Sequence, residues 1–148
     1  SSDLWERREY RLGDADSYRA DGGESDHPPV SEEWLQRVRE RAASLGVSVG
    51  GFDSNAGLVP MTIAWTLRSE ERPIGAVLTL AARKTGAGAL WLNGFSEDNR
   101  AAAGEPEPVV VLELAPGELK EGFIDIAAEG MGVDWVRLEL IVETARTK

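Results

Sequence analysis

The 148-residue chain carries 16 Lys and Arg against 26 Asp and Glu, and the resulting net charge of −10 repels nucleic-acid backbones and anionic membranes. With no cysteine, disulfides, thiol chemistry and Cys-zinc sites are excluded. The 42% hydrophobic and 28% charged content are those of a folded globular domain, and the length suits one. No apolar run approaches the roughly 20 residues of a membrane span, so membrane is not an expected partner. The start at Ser1-Ser2-Asp3 and the polar end from Thr144 to Lys148 both read as cut points, which predicts a piece of a longer protein.

Leu4 to Leu12 alternates loosely around Trp5, Tyr10 and Leu12 and predicts a half-exposed strand near a sheet edge. Gly13 to Pro29 is rich in Asp, Gly and Ser and closes on His27-Pro28-Pro29, which predicts a long acidic loop. A helix follows over Glu32–Leu45. Ser31 can cap it, Glu32 and Glu33 suit the positive end of its dipole, and Gly46 stops it. Its apolar positions, Leu35, Val38, Ala42 and Leu45, recur at helical spacing.

Beyond Gly46 the pattern is short strands between turns. Thr62 to Leu67, Val77 to Leu80, Leu90 to Leu92, Val109 to Leu114, Phe123 to Ala127 and Val136 to Val142 each alternate or run apolar. Gly86 to Gly88 reads as a turn and Ala101 to Pro108 as a loop. No βαβ alternation is present, so the expected fold is all-β, an antiparallel sandwich in one domain over 1–148. The core is expected over 47–143, with 1–46 added to it.

Three segments in order, Thr62-Ile-Ala-Trp-Thr-Leu67, Ile74-Gly-Ala-Val-Leu-Thr-Leu80 and Ala89-Leu-Trp-Leu-Asn-Gly94, resemble the core of galactose-binding-like jelly rolls. The closing pair, Leu112-Glu-Leu-Ala-Pro-Gly-Glu-Leu-Lys-Glu-Gly-Phe-Ile-Asp-Ile126 and Val133-Asp-Trp-Val-Arg-Leu-Glu-Leu140, is similar to the final strands of carbohydrate-binding modules of the family 6 and family 35 type. The resemblance spans about Val47 to Val142. It departs from the family at Glu6-Arg-Arg-Glu9, at Phe123 where Asn is common, and in the inserted helix. It implies a non-catalytic carbohydrate-binding module, secreted or periplasmic and attached to a larger polysaccharide-active protein. The partners expected are a polysaccharide or oligosaccharide and the neighbouring domains of a longer chain. It also implies one structural calcium, with Asp134 where calcium-bound members place a carboxylate and Glu9 as its partner. A strand-capping turn Asp explains Asp134 equally.

Sugar rings stack on exposed aromatics, so the candidate ligand residues start with Trp91, outward-facing if Leu90 and Leu92 point inward. The alternative is a Trp91 buried under a loop or helix. Asn93 offers a hydrogen bond beside it. The Gly50 to Gly57 loop offers Phe52 for stacking and Asp53 and Asn55 for hydrogen bonding, although a plain turn accounts for the same residues. Trp135 alternates away from Val136 and Leu138 and is either a ligand residue or a packing aromatic, while Trp65 reads as core and Trp34 as the seat of the helix. The single histidine, His27, rules out a His-His metal site, and no Gly-rich phosphate motif is present, so no enzyme is expected. The competing expectation is a structural or protein-interaction sandwich with no small-molecule ligand.

Overall fold

A computed structural model describes residues 4–13, 29–52, 57–104, 109–119 and 121–145, and within them the frame is set by two long strands. β3 (Glu71–Leu92) and β6 (Phe123–Thr144) pair antiparallel from Glu71 opposite Thr144 to Leu92 opposite Ile126. Such strands are several times the usual length, and both bend where their registers slip. Slips fall at Pro73/Gly75, Ala81/Ala82 and Lys84/Ala89. An extra residue on one strand kinks it and sharpens its twist.

One turn expected from glycine and one break between expected strands are therefore bends within continuous strands. Gly86 to Gly88 lies inside β3, and the break expected between Ala127 and Val136 lies inside β6. Gly130 takes a positive φ of 72°, cheap only without a Cβ. A Cβ on Gly88 would lie 2.7 Å from Met131 Cε, so glycine here allows the two strands to cross closely at the bend. Glycine signals a bend or a reversal equally well in a lone sequence.

The remaining strands line the two halves of this pair. One half is formed by β2 (Leu58–Ala64), the start of β6, the end of β3 and β4 (Arg100–Gly104). The other is formed by β1 (Leu4–Leu12), the end of β6, the start of β3 and β5 (Val109–Leu114). The result is one antiparallel curled sheet, mostly β with one helix, as the all-β reading anticipates. β2 starts and stops earlier than Thr62 to Leu67, and β4 occupies part of the expected Ala101 to Pro108 loop. The expected loop over Gly13 to Pro29 falls mostly outside the described residues.

Inside the curl, alternate residues of both halves meet: Val59, Met61 and Ile63 from β2, Leu78, Leu80, Leu90 and Leu92 from β3, and Ile124, Ile126, Leu138 and Leu140 from β6. All are nearly sealed from solvent, each contributing about 1.5–3 kcal/mol by leaving water. Trp65 joins this core, as its strand phase implies.

The helix α1 (Glu32–Leu45) has the bounds its sequence predicts. Ser31 Oγ accepts from Trp34 N at 3.3 Å, and Gly46 closes the far end at φ 71° while Val47 N donates to Ala42 O at 3.0 Å. The buried stripe is Trp34, Val38 and Ala42, whereas Leu35 is half-buried and Leu45 exposed. The apolar face is thus turned by one residue from its expected phase. Trp34 sets that phase, its Nε1 donating to Ile126 O at 2.9 Å across the sheet.

Of the first 46 residues, expected as an addition, β1 is paired into the sheet and α1 packs upon it. Arg8 faces the interior side of β1 and donates to both carboxylate oxygens of Glu71, at 2.5 and 3.3 Å, and Arg68 N adds a bond at 2.8 Å. Those bonds, Arg8 foremost, hold the Glu71 carboxyl down to about 2 from 4.5, so its ionised form favours the fold at every pH above the higher value. The contribution is lost as pH falls from about 4.5 through about 2. Glu71→Gln is accordingly expected to lower the melting temperature at neutral pH, and circular-dichroism melts should show the gap from wild type closing on acidification across that window.

Candidate binding face

The outer faces of the two halves are treated differently, and that difference defines the site. On the β2 half, α1 lies over Leu58, Ala89, Trp91 and Ala127. Ala89 and Ala127 are small enough to admit the helix and the Trp34 ring, which stacks on Phe95 at 4.9 Å between centroids. Trp91 points outward as the alternation of Leu90 and Leu92 implies, but the helix covers it to 3% exposure. Its Nε1 donates to Glu129 Oε1 at 3.0 Å, and Arg41 from the helix reaches the same oxygen at 2.8 Å while lying 4.6 Å over the Trp91 ring. The ring that sugar stacking would need is already stacked.

The other expected residues are placed as follows. Phe52 is a core residue, 3% exposed, not an open stacking face. Asp53 and Asn55 lie outside the described residues, as does His27. Asn93 adopts φ 63° and prolongs the ladder beyond Leu92: its N donates to Asp125 O at 2.8 Å and its Oδ1 accepts from Asp125 N at 3.0 Å. Asp125 in turn accepts from Thr62 Oγ1 at 2.7 Å, and burial pushes its carboxyl pKa up. Asn93 therefore closes a strand end beside the start of α1.

Asp134 and Glu9 are not brought together. Glu9 sits opposite Glu139, five positions along β6 from Asp134, a separation of roughly 16 Å at strand rise, whereas calcium ligands lie about 2.3–2.6 Å from one ion. Asp134 is instead the extra residue where the register slips between Ala81 and Ala82. Trp135 faces outward and is half-buried, with Arg11 at 4.9 Å and Arg137 at 5.6 Å from its ring centroid.

Among the described residues no helix covers the outer face of the β1 half. Trp5, Arg7, Glu9 and Arg11 from β1 share that face with Trp135, Arg137, Glu139, Ile141 and Glu143 of β6, with Arg72, Val77 and Thr79 of β3, and with Val109, Val111 and Glu113 of β5. The slip between Pro73 and Gly75 adds Ile74, which lines the groove on this face. Trp5, Val111 and Ile74 remain 65%, 60% and 39% exposed. A shallow groove of about 460 Å³ runs between Trp5, Ile74, Val77 and Ile141, with Arg7 and Glu139 paired at 2.8 Å among its lining residues. Arg72 and Glu143 form a further pair on this face. Sequence reasoning left these groove residues out; the signal that could have found them is the alternation of Trp5, Arg7, Glu9 and Arg11 onto one side of an edge strand.

A smaller cleft of about 210 Å³ lies at the end of β2, lined by Trp65, Leu67, Pro73, Leu119, Glu121 and Gly122. Trp65 Nε1 is buried there with no hydrogen-bond partner among the described residues. Because Trp91 is a packing residue, Trp91→Ala is expected to cost about 3–5 kcal/mol of stability in urea denaturation, the range of a buried aromatic truncation; a surface stacking residue would cost under about 0.5. No protein-family model matches the chain, and no curated protein is significantly similar to it.

Proposed function

We infer that the protein is a non-catalytic binding domain that docks onto another protein through the outer face of β1, β6, β3 and β5, which no described helix covers. The observation that carries this reading is the groove between Trp5, Ile74, Val77 and Ile141, in which Trp5 and Ile74 stay exposed, while the matching face of the other half is sealed by α1. Exposed apolar patches rimmed by paired charges are the anatomy of protein interfaces, with aromatics at the centre and polar groups around. Aliphatic lining by Ile74, Val77 and Ile141 fits another protein's side chains better than it fits sugar hydroxyls. The two halves enclosing one core support reading the curled sheet as a jelly-roll sandwich, the fold the sequence resemblance implies.

Carbohydrate binding is the second reading, favoured by the cleft at the end of β2, where the exposed Glu121 carboxylate beside the edge of Trp65 can accept from a sugar hydroxyl. A secreted or periplasmic location goes with that reading. Among the described residues no helix is long and apolar enough to cross a membrane.

The test uses three baits in affinity capture from extract of the source cells: wild type, the face variant Trp5→Asp with Val111→Asp, and Glu40→Lys on the exposed side of α1. One partner is expected to be retained by wild type and Glu40→Lys and weakened at least about 30-fold by the face variant, the loss of a central anchor worth about 2 kcal/mol. Equal retention by all three would overturn the docking reading. A glycan array bound by wild type but not by Glu121→Ala would support the sugar reading instead.

A further inference from the structure

β1 is an edge strand nine residues long, paired only with β6 among the described residues, and free of proline. A long unprotected edge offers a row of open backbone donors and acceptors to another strand. Natural edges often carry charge to repel such pairing, but the charges of β1 are arranged otherwise. In Leu4-Trp5-Glu6-Arg7-Arg8-Glu9-Tyr10-Arg11-Leu12 the order about Arg8 is self-complementary: Leu4 mirrors Leu12, Trp5 mirrors Arg11, and Arg7 mirrors Glu9.

We propose that two copies of the chain pair antiparallel through their β1 edges about a two-fold axis at Arg8, joining their sheets into one. A two-fold perpendicular to the sheet keeps each outer face on the same side, so outward Arg7 of one copy stands directly opposite outward Glu9 of the other, twice. Directly opposed side chains on one face have Cβ atoms about 4.5–5.5 Å apart, within ion-pair reach. Trp5 meets Arg11 of the second copy in the same way.

A second observation points to this pairing. Within its own chain Glu9 faces Glu139, a like charge, and Glu9 makes no ion pair among the described residues, since Arg7 and Arg137 both serve Glu139. The second copy supplies the cation that Glu9 lacks. The two Arg8 side chains at the axis do not oppose the pairing, because each guanidinium is turned to Glu71 and Glu6 of its own chain. The inference rests on the β1 edge; Ile74 of β3 and Val111 of β5, on the docking face, lie away from the seam.

Sedimentation from about 1 to about 200 µM is the test, since an interface of one strand pair is small and its Kd is expected at about 10⁻⁶ to 10⁻⁴ M. Arg7→Glu and Glu9→Arg singly set like charges across the axis and are each expected to weaken the dimer at least about tenfold. The double swap restores complementarity and is expected to return the Kd to within about threefold of wild type. Both positions are exposed, and melting temperature checks that each variant folds. Val111→Asp, on the docking face, is expected to leave the dimer intact. A monomer across the whole range, single swaps that change nothing, a double swap as weak as the singles, or dissociation by Val111→Asp would each overturn the proposal.

Discussion

The antiparallel pairing of β3 with β6 is the constraint from which the rest follows. Every other strand pairs with one of these two, so their bends decide where each half of the sheet faces. The register slips matter most in β6, whose inner set changes parity twice, from Ile124, Ile126 and Ala128 to Met131 and Val133 and then to Val136, Leu138 and Leu140. Without those slips a period of two carried through the bend would turn Met131 and Val133 toward solvent.

A sheet bent this way has two outer faces, and among the described residues a single helix covers one. α1 is drawn to the β2 half because its Trp34, Val38 and Ala42 stripe finds Ala89, Trp91 and Ala127 there, and because the Glu129 carboxylate accepts from both Trp91 and Arg41. An exposed carboxylate pair contributes little alone; here it is joined to a buried indole and two aromatic faces. Among the described residues the β1 half has no such cover, and its apolar groove and edge strand stay exposed.

What was legible in the sequence was local. The helix bounds are written in Ser31, the paired glutamates and Gly46, all within one or two turns of the element they punctuate. The outward direction of Trp91 was equally readable, from its two leucine neighbours. Its cover was not, because α1 lies about fifty residues earlier in the chain and nothing in residues 89–94 encodes what rests on them. The same blindness hid the groove: Trp5, Ile74 and Ile141 come from three distant segments, and Ile74 reaches the groove beside a register slip. Gly86 to Gly88 reads as a reversal since a bend and a turn ask the same freedom of the backbone.

The unequal covering of the two faces is tested most directly by hydroxyl-radical footprinting of the native protein, read tryptophan by tryptophan in a mass spectrometer. Trp5 is expected to be oxidised rapidly, and Trp34 and Trp91 to remain protected until the chain is unfolded. Oxidation of Trp34 and Trp91 at the rate of Trp5 under native conditions would contradict the account, since it would mean that α1 does not seal the face on which it is placed.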